Sequence, residues 1–64
     1  MNISKVAQNI EDAVRDCLAF GMGTAEADGV KYIAEWDENE TDIIITLIQY
    51  GQTVAVLREK QAGI

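Results

Sequence analysis

Asp37, Asn39 and Thr41 alternate as the first oxygen ligands of an EF-hand loop do, so calcium ligation is the first chemistry the chain invites. The pattern then fails, because Asp42 stands where the sharp-turn glycine belongs and Ile48 where the bidentate glutamate belongs. Nucleophilic catalysis fares no better. A Ser, Cys or Thr nucleophile needs a base beside it, and a chain without His offers only carboxylates and lysines. Cys17, the one cysteine, falls on the apolar side of a predicted helix, where a thiol packs as a small hydrophobe. Paired acid and base carboxylates require one of them in an apolar pocket, and those here crowd onto a predicted loop. Gly21-Met22-Gly23 lacks both the preceding strand and the third glycine of a dinucleotide-binding turn. The expectation is a protein that is not an enzyme and carries no metal and no cofactor.

What remains chemically distinctive is charge. Eleven Asp and Glu against five Lys and Arg leave a net charge of −6 on 64 residues, a field that repels nucleic acid and anionic membrane and favours basic partners. Five of the carboxylates, Glu35, Asp37, Glu38, Glu40 and Asp42, fall within eight residues, and Glu26 and Asp28 precede them. Such an array resembles the closely spaced phosphates of a nucleic acid, which a Lys- and Arg-lined groove binds by Coulombic attraction. The same charges also keep an apolar sheet edge soluble.

The elements that must position these residues follow from two periodicities. Ile3, Val6, Ala7, Ile10, Ala13, Val14, Cys17, Leu18 and Phe20 recur at three- and four-residue steps, predicting a helix over 3–20. Asn2 or Ser4 is placed to cap its start, Gly21 its end, and Glu11 and Arg15 stand at i,i+4 in the favourable order. Beyond Gly21 the period becomes two, predicting strands at 30–36, 43–50 and 53–58; Met22 to Gly29, rich in small residues, reads as a connection, with a short edge strand at Gly23 to Ala27 as the alternative. A turn centred on Gly51-Gln52 would join the last two, pairing Ile48 with Ala55 and Thr46 with Leu57, while an even loop sets Trp36 opposite Ile43. The C-terminal stretch 58–64 is expected to fray. The fold class is α+β: one N-terminal helix on one face of a three-stranded antiparallel meander, 1–64 forming a single domain.

On that register the helix covers Val30, Tyr32, Ala34, Trp36, Ile43, Ile45, Leu47, Val54 and Val56. The other face presents Ile33, Ile44, Ile48, Tyr50, Ala55 and Leu57, rimmed by Lys31, Glu35, Thr46, Thr53 and Glu59. One helix cannot cover both sides, and an apolar patch with a polar rim marks an interaction surface. A chain this short usually needs a disulfide, a metal or a partner subunit to hold its core. The lone cysteine and the lack of His leave the partner, so Ile33, Ile44, Ile48, Tyr50 and Leu57 are the expected dimer or partner interface.

In size, charge and lack of catalytic residues the chain is similar in general kind to phage-encoded inhibitors such as anti-CRISPR proteins and DNA mimics, although no motif carries over residue by residue. The expected function is therefore a small acidic inhibitor of a larger basic target, with Glu35, Asp37, Glu38, Glu40 and Asp42 as its acidic contact. The alternatives are a structural or regulatory homodimer, such as an antitoxin or assembly factor, and a small-ligand binder using Trp36, Tyr32 or Tyr50 at an oligomer interface. With no apolar h-region in its first residues and no run of membrane-spanning length, the chain is expected in the cytoplasm, binding protein and neither membrane nor nucleic acid directly.

Overall fold

The computed structural model describes residues 3–61. One helix, α1 (Ile3–Phe20), is followed by four strands, β1 (Met22–Ala27), β2 (Val30–Trp36), β3 (Asp42–Gln49) and β4 (Gln52–Lys60), in an antiparallel sheet of order β1-β2-β3-β4. The fold is α+β, and the short extra strand expected before Val30 is its first edge strand. Of the two expected helix caps, Asn2 lies outside the described residues; Ser4 lies inside the first turn.

Helix α1 ends where Gly21 takes a φ of +89° and its N–H donates to the Cys17 carbonyl at 2.8 Å. That left-handed step is the glycine C-cap the sequence predicts, and it turns the chain directly into β1. Gly23 then lies under the helix: a Cβ built there would meet the Ala13 carbonyl oxygen at 1.9 Å. A hydrogen is all this site admits, so helix and strand backbones approach more closely here than side chains would allow. The buried side of α1 is Ala13, Val14 and Cys17, with Val6 and Ile10 half-buried. Ala7, Leu18 and Phe20, expected on that side, are exposed, Phe20 by 82 %. Arg15 pairs with Asp12 at i,i+3, not with Glu11.

Three tight connections set the strand register. Asp28 and Gly29, at φ of +54° and +79°, turn β1 into β2 between the paired Ala27 and Val30. Both central residues being left-handed is the signature of a type I′ hairpin, whose twist matches that of the strands. The loop from β2 to β3 keeps Trp36 opposite Ile43 and Ala34 opposite Ile45, as expected.

The third connection departs from expectation. Its central residues are Tyr50 and Gly51, at φ of +55° and +74°, flanked by the pair Gln49 and Gln52. The turn is thus one residue earlier than Gly51-Gln52. Ile48 pairs with Thr53, the register shifts at a bulge, and Leu47 then pairs with Ala55, Thr46 with Val56 and Ile45 with Leu57. Since strand neighbours share a face, Ala55 and Leu57 join the helix side, while Val56 joins the opposite side. The expected placement of Leu57 on the outer face and of Val56 in the core is therefore reversed, and Val54, also expected in the core, is the bulge residue and exposed.

The core consists of Ala13, Val14 and Cys17 from α1 against Val30, Tyr32, Ala34, Ile43, Ile45 and Leu47 from β2 and β3. Helix α1 packs mainly on β1 and β2 and reaches β3, while among the described residues no Cα of α1 lies within 8 Å of one in β4. Leu57, on the helix side of β4, consequently stays 41 % exposed. The last strand does not fray at Arg58: pairing continues to Lys60, and the Gln61 N–H donates to the Thr41 carbonyl at 3.0 Å. Residues 62–64 of the stretch expected to fray lie outside the described residues.

Candidate functional site

The acidic loop is built around one side chain. The Asp37 carboxylate accepts the Thr41 N–H at 3.0 Å, the Asp42 N–H at 3.3 Å and the Thr41 hydroxyl at 3.3 Å. The Glu40 N–H donates to the Asp37 carbonyl at 3.1 Å, closing a turn in which Glu40 takes a φ of +56°. Asp37 thus caps the loop that follows it. The alternation that resembled a calcium loop arises from an acidic residue folding its own turn, and both Asp37 carboxylate oxygens already accept N–H and O–H donors. Among the described residues no three His, Cys, Asp or Glu side chains are grouped to hold a metal ion.

Arg58 completes the arrangement from β4. Its Nη1 donates to Asp42 Oδ2 at 2.8 Å and to Asp37 Oδ2 at 3.3 Å, tying the edge strand β4 to the first residue of β3 and to the loop before it. Asp42 is only 8 % exposed, and its Oδ1 has no hydrogen-bond partner among the described residues. Partial burial would raise the Asp37 carboxyl, but the Thr41 and Asp42 donors and the Arg58 charge outweigh it and hold the group below its ordinary value. Arg58 is correspondingly held more firmly protonated, chiefly by its hydrogen bond to Asp42.

The five carboxylates predicted to face a basic target therefore divide. Asp37 and Asp42 are engaged within the chain, whereas Glu35, Glu38 and Glu40 are exposed. With Asp12 held by Arg15, the remaining carboxylates in ion-pair terms are Glu11, Asp16, Glu26, Asp28, Glu35, Glu38, Glu40 and Glu59. Among the described residues only Lys5, Lys31 and Lys60 remain opposite them, so the outward charge stays strongly negative.

The outer sheet face is ordered by the strand register. One row across it reads Glu26, Lys31, Ile48, Thr53; the next Thr24, Ile33, Thr46, Val56; the third Met22, Glu35, Ile44, Arg58. Ile33, Ile44 and Ile48 are half-buried by their neighbours, and Val56 is 61 % exposed. Tyr50, expected on this face, is at the turn and 90 % exposed. The aromatic residues do not converge on a ligand pocket: Tyr32 is buried, and Trp36 and Tyr50 lie at opposite ends of the sheet. A second exposed apolar group, Leu18, Phe20 and Met22, surrounds the α1–β1 junction. Only the helical period pointed to it, and that reading assigned Leu18 and Phe20 to the core.

Cys17 is fully buried, with its thiol near the Gly21 carbonyl at 3.7 Å. Burial, and secondarily the charge of Glu35, push its ionisation above the ordinary thiol value. No helix is long and apolar enough to cross a membrane among the described residues. No protein-family model matches the chain, and comparisons with curated proteins and with solved structures find no match.

Proposed function

We propose that this chain is a small acidic protein-interaction module that inhibits a larger, basic target by covering its cationic surface. The observation that carries this reading is the imbalance of outward charge: eight carboxylates outside the Arg15 and Arg58 ion pairs against three lysines, with Glu38 and Glu40 at the tip of a loop that Asp37 holds in shape. A preformed loop loses little entropy when it docks, and clustered like charge accelerates encounter with an opposite surface. A nucleic-acid-binding protein is the natural class of target, because its groove already accommodates spaced negative charge. Phage-encoded anti-defence proteins and DNA mimics are the kind of molecule this describes.

The test is capture from host lysate at low salt followed by titration of the isolated partner. Affinity should fall steeply with ionic strength and drop at least about tenfold in the Glu38→Lys, Glu40→Lys double variant. Salt-insensitive binding that survives the double reversal would overturn the reading. The alternative of a regulatory homodimer is favoured by a different observation, the apolar centre of the outer sheet face.

A further inference from the structure

We infer that the outer sheet face is occupied by a second copy of this chain, related by a two-fold axis that runs across the strands through the row Thr24, Ile33, Thr46 and Val56. The register supplies the reason. On β2 the outward residues are Lys31, Ile33 and Glu35, a positive and a negative side chain placed symmetrically about an isoleucine. Two such faces brought together about an axis through Ile33 set Lys31 of each copy against Glu35 of the other. On β3 the same operation sets Ile44 against Ile48, and leaves Ile33, Thr46 and Val56 opposite themselves. On the two central strands apolar residues meet apolar residues and Lys31 and Glu35 find opposite partners; on the edge strands Met22 falls against Glu26, and Arg58, already held by Asp42 and Asp37, against Thr53.

Other arrangements of the same two faces lack this match. An axis along the strands lays β2 over β3, pressing Lys31 onto Ile48 and Glu35 onto Ile44 and stranding each charge without a partner. Within one chain Lys31 and Glu35 are four residues apart on an extended strand, about 13 Å, too far to pair with each other. The cross-strand neighbour of Lys31 is Glu26, yet no ion pair forms between them. Packed sheets lie about 10 Å apart, a gap that a lysine and a glutamate span together.

The size of the face sets the strength. Four strands about 4.8 Å apart and six residues of about 3.4 Å rise give a footprint of roughly 400 Å². That is about half of a standard interface per partner, which places the dimer among weak, reversible associations. The operation reverses strand direction, which carries the two acidic loops to opposite ends of the assembly. Dimerisation through this face thus leaves Glu38 and Glu40 free, and it stands independently of the proposed inhibitory role.

The experiment is sedimentation equilibrium on the isolated protein, with circular dichroism confirming the fold of each variant. Wild type should dimerise reversibly, and Lys31→Glu and Glu35→Lys should each weaken the dimer about tenfold or more. Mixing the two variants should restore it, because every contact across the axis is then between opposite charges; carrying both reversals on one chain should restore it too. Lys31→Glu also sets two carboxylates opposite each other within one chain, so restoration in the mixture is the deciding result. A wild type that stays monomeric at several hundred micromolar overturns the proposal. So does a dimer indifferent to both reversals, or a mixture in which no dimer returns.

Discussion

Gly23 lies so close beneath Ala13 that a Cβ on the glycine would overlap the alanine carbonyl oxygen, with the Cys17 amide nitrogen only 2.8 Å away. Both neighbours are backbone, so neither can rotate aside. The helix must lift from β1, the strand on which it makes most of its contacts. Gly23→Ala should therefore destabilise the protein by about 2–3 kcal/mol, by forced displacement of packed elements. In a domain this small that corresponds to a fall of roughly 10–20 °C in Tm, read by the far-ultraviolet circular dichroism melt. Gly29→Ala, where a Cβ meets nothing within 4 Å, tests the contrast between crowding and conformational cost.

Asp37 gives the fold an acid-sensitive joint. Its carboxyl is held below the ordinary value near 3.8 in the folded chain, so the folded state binds the proton less readily than the unfolded state does. The stabilisation this represents is fully present above the unfolded value and is lost as pH falls through the folded one. Stability should accordingly decline below about pH 4, and Asp37→Asn should lower stability at neutral pH while flattening that acid limb. Urea denaturation of both proteins between pH 2 and pH 7 reads the difference. An Asn variant whose acid limb matches wild type would assign the decline to other carboxylates.

The helix and β2 are legible in the sequence because each has a clear period, and the even loop from Asp37 to Asp42 preserves face alternation between Trp36 and Ile43, which assigns the faces of β3 although it is apolar on both. The final strand is not legible for two local reasons. Tyrosine is an uncommon first residue for a turn needing positive φ, so the glycine drew the expected turn one residue too late. Thr53-Val54-Ala55-Val56-Leu57 is apolar on both faces, so alternation alone could not correct the slip, and the bulge at Val54 is invisible to it. The consequence reached the acidic loop. On the expected register Arg58 would face Ile45 in the core; on the observed one it is opposite Ile44 on the outer side, within reach of Asp42 and Asp37. The Asp28-Gly29 turn, by contrast, was available as a hairpin signal between two alternating segments.

Tyr50 occupies a left-handed position at a cost of about 1 kcal/mol for a residue with a Cβ, and its side chain, 90 % exposed, is little packed. Asparagine tolerates that conformation far better, and Asn-Gly is the preferred pair for a type I′ turn. Tyr50→Asn should raise Tm by several degrees, without changing the secondary structure seen by circular dichroism. A drop in Tm instead would mean that the tyrosine ring is held by contacts that outweigh its backbone strain.

The bulge makes a sharper demand on the chain. Between Ile48, paired with Thr53, and Leu47, paired with Ala55, Val54 is one residue in excess. Deleting Val54 should close the ladder, leaving Thr53 outward, Ala55 inward, and Leu57 and Arg58 still opposite Ile45 and Ile44. The deletion variant should therefore fold, retain the Arg58 contact with Asp42, and show amide-exchange protection through β4 at least equal to wild type. A turn at Gly51-Gln52 predicts the reverse, since removing Val54 would then shift every later β4 residue to the wrong face. Arg58 would then turn outward opposite Thr46, out of step with Asp42, and Glu59 would be driven inward opposite Ile45, a buried charge that costs β4 its protection. Hydrogen exchange of the β4 amides, measured residue by residue on the deletion variant, decides between the two registers.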